Sequence, residues 1–231
     1  MNPDALRNAL DAAFPRAWRE ILDRRMPFYR ALAEAEQERF EDKLQHFVLT
    51  KTFTSPTLEV TDEMRVVVAA AACRLSLNLN WIDYASVHQV ELRGAEWSHN
   101  GGSVIGLAGR WKVTLSWPHL VRGMATPHDG DNVGYHEFAH ALDEGLDGGA
   151  HRPTGIYRAW TDVIAAARED VRRGVARALS AYAASNDAEL FAVATEWFFE
   201  RSRELRTAMP ALFALLRDFY QQDPSRFSSV P

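Results

Sequence analysis

The sequence is poor in cysteine: Cys73 is the only one among 231 residues. A single cysteine cannot form a disulfide within the chain. Cys73 ends an apolar run that starts at Val66, and a small thiol buried in such a run is usually inert. We therefore expect Cys73 to be a core residue, and we predict neither a disulfide-stabilised fold nor cysteine chemistry.

Long apolar runs and basic clusters are missing as well. No stretch reaches the roughly 20 apolar residues of a membrane-spanning helix, and charged residues interrupt the first thirty positions, where a signal peptide would be apolar. The 26 Lys and Arg residues are scattered and the formal net charge is −5, which argues against a nucleic-acid-binding face. We expect a cytoplasmic protein that makes no direct contact with membrane or nucleic acid.

The remaining composition is typical of a globular protein, with 47% hydrophobic and 25% charged residues. Helical periodicity dominates, and β-like runs are short, so the predicted fold class is α+β, mostly helical with a small mixed sheet. The main predicted helices span 36–47, 62–77, 132–145, 155–183, 187–202 and 209–221. The predicted strands span 58–60, 87–92, 103–107 and 112–117, with a loop at 50–56.

The strongest chemical signal is the string His136-Glu137-Phe138-Ala139-His140 in one predicted helix. Residues four apart lie on the same helix face, one turn apart, so both imidazoles can reach one ion. Glu137 would then lie beside the metal, where it can bond to a bound water without becoming a ligand. The alternative is two surface histidines on an ordinary amphipathic helix. Apolar neighbours make that less favourable, because partly buried histidines need polar partners.

A catalytic zinc site usually has three protein ligands and leaves a fourth position for water. Asp143 is one candidate for the third ligand, since it lies three residues after His140. Glu189 and Glu196 are two others, on nearly the same face of the helix predicted after Asn186. Spacing alone does not choose among these carboxylates.

Longer strings around these residues resemble the Mlc titration factor A family of zinc metallopeptidases, whose catalytic fold is similar to that of anthrax lethal factor. The matching segments are spread over most of the chain and lie at 47–53, 58–66, 129–143, 181–193, 196–199 and 219–224. The resemblance implies a zincin-like metallopeptidase with its small sheet beside the motif helix. We predict one domain over 1–231, in which an N-terminal helical part, 1–56, packs on a catalytic core, 57–224.

The resemblance also implies the roles of individual residues. Glu189 would complete a single Zn²⁺ site with His136 and His140, and Tyr182 would face the substrate carbonyl. Asp143 and Glu196 would then orient the histidines. Glu137 is predicted to be the general base that takes a proton from the attacking water.

A peptide or protein substrate is expected to bind in an extended form along a sheet edge. The segment 112–117 is predicted to be that edge, with Trp117 either shaping a subsite or closing the core as a packed aromatic residue. Aminopeptidase and endopeptidase activity both remain open. One alternative is a non-enzymatic, zinc-containing regulator that binds a transcriptional repressor, as the family name suggests. Others are a metal-dependent hydrolase of non-peptide amides and a purely structural domain.

Overall fold

The computed structural model describes residues 2–79, 84–109, 111–147, 156–175 and 178–226, with the backbone alone at 144–147 and 156–159. The helices are α1 Pro3–Leu10, α2 Arg16–Arg25, α3 Pro27–Arg30, α4 Glu34–Thr50, α5 Asp62–Ser76, α6 Trp117–Ala125, α7 Val133–Asp147, α8 Ile156–Arg172, α9 Asp187–Glu200, α10 Ser202–Ala208 and α11 Pro210–Tyr220. The strands are β1 Thr52–Thr54, β2 Gln89–Arg93, β3 Trp97–His99, β4 Gly102–Val104, β5 Gly106–Ala108 and β6 Lys112–Ser116. Short 3-10 turns lie at Ala181–Ala184 and Pro224–Arg226.

Four of the strands form one mixed sheet in the order β1-β2-β6-β5. β1, β2 and β6 are parallel, whereas β5 runs antiparallel to β6. β3 and β4 form a separate antiparallel pair. Val90 pairs with Val113 and Leu92 with Leu115, and all four side chains are buried. The prediction of a mostly helical α+β protein with a small mixed sheet is therefore confirmed.

The first strand does not lie where the sequence pattern predicted it. Residues 58–60 are not a strand, and β1 lies inside the predicted loop 50–56. The reason is local, because the Ser55 hydroxyl accepts hydrogen bonds from the backbone N–H groups of Thr57 and Leu58, at 3.2 and 2.9 Å. This turn ends the extended segment, so the β-branched and aromatic residues before it pair with β2 instead.

Three other elements also differ from the sequence prediction. The segment 103–107 splits between β4 and β5, which belong to different sheets. The helix predicted over 155–183 ends at Arg172, since Gly174 takes a left-handed conformation with φ +67°; residue 155 itself lies outside the described residues. α6 was missed, although Pro118 in its first turn is a helix-start signal.

Helix α5 lies at the centre of the core. Its N-terminus is capped by Thr61, whose hydroxyl accepts from the Met64 N–H at 3.3 Å, and nearly every following residue is buried. Side chains from α2 and α4 belong to the same hydrophobic cluster as those of α5, α7, α9 and α11. Phe47 of α4, for example, meets Phe138 of α7 edge to face, with ring centroids 5.7 Å apart.

The position of α7 depends on a close approach at Gly134. A Cβ atom there would lie 2.6 Å from Leu120 Cδ1 of α6 and 2.9 Å from Ala71 Cβ of α5. Glycine therefore lets α7 approach both helices more closely than any larger residue would. Since α7 carries the histidine motif, this contact fixes the motif relative to the core.

Within the described residues, none of the helices combines the length and the apolar character that a bilayer crossing requires.

We predict that Gly134→Ala destabilises the protein by roughly 1–3 kcal/mol, the usual cost of overpacking a core. In an open helix the same change would stabilise by about 1 kcal/mol. The sign of the change in unfolding free energy therefore distinguishes a tightly packed Gly134 from an open one. Urea denaturation measures it. Gly102→Ala is the control, because a Cβ there meets only His99 O, at 3.8 Å. A stabilised Gly134→Ala variant would show that α7 does not need this close approach.

Candidate metal centre

The two motif histidines lie on one face of α7. The helix is capped by Asn132, whose Oδ1 accepts from the Tyr135 N–H at 3.1 Å. One turn further on, the rings of His136 and His140 lie 4.8 Å apart between centroids, and their Nε2 atoms are 3.2 Å apart. Both side chains are partly buried, so two nitrogen lone pairs can be directed at one point.

The third member of the cluster comes from α9. The side chain of Asn186 caps this helix by accepting from the Glu189 N–H at 2.9 Å, which places Glu189 in the first turn. Glu189 Oε2 lies 3.2 Å from His136 Nε2 and 3.4 Å from His140 Nε2. Together these three side chains could hold a metal ion.

The chemistry of the donor set fits a metal. Glu189 Oε2 is shielded from solvent and has no hydrogen-bond partner among the described residues, and an unsatisfied buried carboxylate oxygen is costly unless a cation meets it. Burial alone would raise the pKa of Glu189, but the facing imidazoles of His136 and His140 hold it well below its usual range. Two imidazoles and one carboxylate are the ligands that catalytic zinc commonly uses.

Glu137 lies next to this cluster without belonging to it. It is buried under strand β5, where it accepts a hydrogen bond from the backbone of Ala108. Burial raises its pKa above the ordinary value. Gly106 packs directly on the same side chain, since a Cβ there would lie 2.6 Å from Glu137 Cγ and 2.7 Å from Cδ. The backbone of β5 therefore holds the carboxylate in place, and only glycine leaves room for it.

A second carboxylate of α9 orients the first histidine. Glu196 Oε1 lies 2.8 Å from His136 Nδ1, and its Oε2 accepts from the Asn132 N–H at 2.6 Å. Because both carboxylate oxygens are acceptors, Nδ1 carries the proton and the Nε2 lone pair is left for a metal. Burial lowers the pKa of His136, but the facing carboxylates of Glu189 and Glu196 outweigh this effect, and in the metal-free protein they raise the pKa to about 10.

The network continues one turn along α9 to Glu200. Its Oε1 accepts from Asn132 Nδ2 and its Oε2 from the Gly130 N–H, both at 2.9 Å. Burial, reinforced by the negative charge of Asp129, raises the pKa of Glu200 to about 8. Asn132 thus links two carboxylates of α9 to the start of the motif helix.

The remaining predicted site residues lie at different distances from this cluster. Tyr182 is 56% exposed, and its ring centroid is 6.3 Å from that of His136. Burial of its hydroxyl and the charge of Glu189 raise its pKa to about 12. Asp143 is close enough to Tyr220 of α11 for its charge, together with burial, to raise the pKa of that tyrosine. Trp117 begins α6 and packs, half-buried, against the core.

The expected substrate-pairing edge is corrected by the sheet order. Strand β6, which contains most of the segment 112–117, lies between β2 and β5 and has a strand neighbour on both sides. β5 is at the edge of this sheet, next to the motif helix. Order within a sheet depends on how the chain returns, and local sequence does not encode it.

Comparison with known proteins places this chain in a family. Residues 4–221 match the family described as glucose-regulated metallo-peptidase M90. The chain belongs to the M90 family. An uncharacterised protein of Synechocystis sp. is 31% identical, over 91% of this chain and 85% of its own length. Mlc titration factor A of Escherichia coli O1:K1 is 28% identical, over 90% of this chain and 86% of its own length. The resemblance noted in the sequence is thereby confirmed, and a metallopeptidase family implies a bound metal.

Several residues that hold this site in place were not found from the sequence. Glu200 had a usable signal, since it follows Glu196 by four residues and so shares its helix face. Asn132 precedes the motif helix and is a residue type that caps helices. Gly106 and Ala108 had no such signal, because their role depends on the fold bringing β5 against α7.

The raised pKa of Glu200 predicts a pH dependence of stability. Its folded pKa, about 8, lies above the ordinary value of 4.5, so the folded state holds the proton more tightly. This contribution is fully present below pH 4.5 and is lost as the pH rises through about 8, with a slope of at most about 1.4 kcal/mol per pH unit.

Urea denaturation between pH 4.5 and 8 should therefore show a flatter profile for Glu200→Gln than for the wild type. The absolute stability of the variant can differ, because an amide has a single oxygen and cannot accept both the bond from Asn132 and the bond from Gly130. Glu204→Gln, on the exposed side of α10, serves as the control. Parallel profiles for wild type and Glu200→Gln would contradict the assignment.

Proposed function

We propose that this protein is a zinc-dependent peptidase of zincin-like fold that hydrolyses peptide bonds in the cytoplasm. One observation carries the proposal: His136 Nε2, His140 Nε2 and Glu189 Oε2 converge within ligand-forming distance of one another. Beside them lies a separate buried carboxylate, Glu137. Membership of a metallopeptidase family supports the same reaction class.

A zinc ion held by these three residues would supply an acidified water, with a pKa near about 7, and an electrophile for the peptide carbonyl. Glu137 accepts the proton of the attacking water and later passes it to the leaving amine. The hydrogen bond from the backbone of Ala108 keeps the Glu137 carboxylate beside the three predicted zinc ligands without making it a fourth ligand. Glu196 keeps His136 in the tautomer that offers Nε2, while Asp143 is proposed to support the same face of α7 further along.

Tyr182 is proposed to donate a hydrogen bond to the carbonyl oxygen as negative charge develops there. Two properties suit it to this role. Its ring is 56% exposed, so a substrate can reach it. Its pKa of about 12 keeps the hydroxyl protonated at neutral pH, when it must act as a donor.

The substrate peptide is proposed to add to the free edge of β5 as an extended strand. Among the described strands, β5 pairs with one on one side only, and the same short strand contacts Glu137. Backbone pairing at β5 would therefore bring a peptide bond next to the general base. Trp117 is proposed to contribute to a subsite beyond the end of β6.

A second candidate function is binding of a transcriptional repressor. The relative from Escherichia coli is named a titration factor for Mlc, and that name alone motivates the idea. The two activities are compatible in one protein. The buried Glu137 beside the ligand cluster favours an enzyme, because binding a partner does not require a base at that position.

We predict that Glu137→Gln retains one equivalent of zinc but loses peptide hydrolysis, since the amide cannot accept a proton. Loss of a general base typically costs about 10²–10⁴-fold in rate. The measurement is elemental analysis combined with cleavage of a mixed peptide library. The library should contain blocked and free N-termini, so that aminopeptidase and endopeptidase cleavage are separated.

His140→Ala is the matched variant, and it should lose zinc and activity together. Full peptidase activity in Glu137→Gln would refute the role of the base. One equivalent of zinc in His140→Ala would refute the ligand set.

The glycine above Glu137 gives an independent test. Gly106→Ala should lower kcat while leaving zinc content unchanged, because the three atoms nearest to the new methyl group all belong to Glu137, which it displaces. Gly109→Ala, in the same hairpin, is the control, since its Cβ would meet only Lys112 O, at 3.6 Å. Equal kcat values for the two variants would show that Glu137 does not need its observed position.

A further inference from the structure

A cavity lies beside Asn132 and Glu200, away from the three predicted metal ligands. Its volume is about 380 Å³, which is within the range of small-molecule sites. It is enclosed by α3, the end of α6, the segment before α7, the end of α9, and α10. None of the three predicted metal ligands is among its described lining residues.

Ser202 brings a buried polar group to this cavity. The hydroxyl of Ser202, at the start of α10, is inaccessible to solvent and makes no hydrogen bond with any described residue. The residue is only 7% exposed and lines the cavity. A buried hydroxyl without a partner costs free energy, so a rotation of the Ser202 side chain that brings its hydroxyl to a ligand atom in the cavity would be stabilising.

A buried guanidinium also lines the cavity. Arg74 of α5 is 4% exposed and lies between the rings of Phe28 and Phe199, 4.9 and 5.0 Å from their centroids. Its Nη1 donates to Gln222 Oε1 at 3.1 Å. A guanidinium in a site of low dielectric attracts an anion strongly, and carboxylates match its geometry.

The charge balance of the lining points the same way. Arg30 and Arg203 add two further cations, and Glu204 adds one carboxylate. Glu200 also lines the cavity, and its pKa of about 8 leaves it mainly uncharged at neutral pH. The lining is therefore positive overall. Its walls are otherwise apolar, with Leu32, Met124 and Tyr135 among them.

We propose that this cavity binds a small organic carboxylate with an apolar body, and that the bound ligand is coupled to the metal centre. The carboxylate meets Arg74 and Ser202, and the apolar body packs against Phe28 and Phe199. The coupling part rests on the proposed function, whereas the binding part does not.

The coupling follows three consecutive hydrogen bonds. Glu200 accepts from Asn132 Nδ2, the backbone N–H of Asn132 donates to Glu196, and Glu196 accepts from His136 Nδ1. A ligand that orders Glu200 therefore also orders the carboxylate that orients a metal ligand. Coupling between sites is reciprocal, so the carboxylate strengthens zinc binding and zinc strengthens carboxylate binding.

The binding part is tested with 3-phenylpropionate and its neutral analogue 3-phenylpropanamide on the metal-free, full-length protein. Isothermal titration should show binding of the carboxylate, and roughly tenfold weaker binding of the amide, because only the carboxylate forms charge-assisted bonds. No binding of 3-phenylpropionate at millimolar concentration, or equal affinity for both probes, overturns the proposal.

Ser202→Ala makes the test specific to the cavity. It should weaken 3-phenylpropionate binding roughly threefold to tenfold. It should not lower the stability of the ligand-free protein, since the lost hydroxyl makes no hydrogen bond within the described part of the chain. Ser76→Ala is the control, because that buried hydroxyl donates to Ala72 O at 3.2 Å and lies outside the cavity. Unchanged binding in Ser202→Ala overturns the assignment to this cavity.

The coupling part is tested by zinc titration against a chelator, with and without saturating 3-phenylpropionate. Zinc affinity should rise about fivefold in the wild type, at the lower end of typical couplings, and less in Glu200→Gln. Unchanged zinc affinity overturns the coupling. Failure of the wild type to bind zinc at all would instead refute the proposed function, and the result for carboxylate binding would stand.

Discussion

The whole site depends on the docking of α9 against the N-terminal end of α7. Glu196 makes this contact with both of its oxygens, one on the Asn132 N–H and the other on His136 Nδ1. The buried carboxylate is satisfied by this pair of bonds, which would be lost if the helices separated. Glu189, two turns earlier on α9, faces both imidazoles only because this contact sets the helix position. The ligand cluster is thus a product of one helix–helix interface.

An apolar frame surrounds this polar contact. On one side, Phe138 of α7 packs against Phe47 and Tyr84, with centroid distances of 5.7 and 5.4 Å. On the other, Phe198 of α9 stacks on Tyr220 of α11 at 5.7 Å. The aromatic rings hold the two helices at a distance fixed by their size, and the hydrogen bonds then select the rotation of each helix. Packing and polar satisfaction therefore specify the same arrangement.

The histidine motif was readable from the sequence because its spacing equals one helical turn. The third ligand was not, since Asp143, Glu189 and Glu196 are equivalent by spacing; the resemblance to relatives pointed to Glu189. What separates the two glutamates physically is which ring nitrogen each one meets. Glu189 faces the Nε2 atoms of both histidines, whereas Glu196 bonds to His136 Nδ1. The central helix was also predictable, because α5 is a long and almost wholly apolar run that follows a capping threonine. The strand β1 and the edge position of β5 were not, since a turn at Ser55 and the return path of the chain decide them.

Asn132 shows how one side chain can narrow the choice at a helix start. As a cap alone, it could be exchanged for aspartate at little cost. Here its oxygen accepts from Tyr135 while its nitrogen donates to Glu200. Among the side chains that favour a helix cap, only asparagine presents an acceptor and a donor on separate atoms. Aspartate would place a third carboxylate beside Glu196 and Glu200, and serine has a single oxygen for both directions. Asparagine is therefore specified here by two contacts, the cap on Tyr135 and the bond to Glu200. Helix capping alone would not select it.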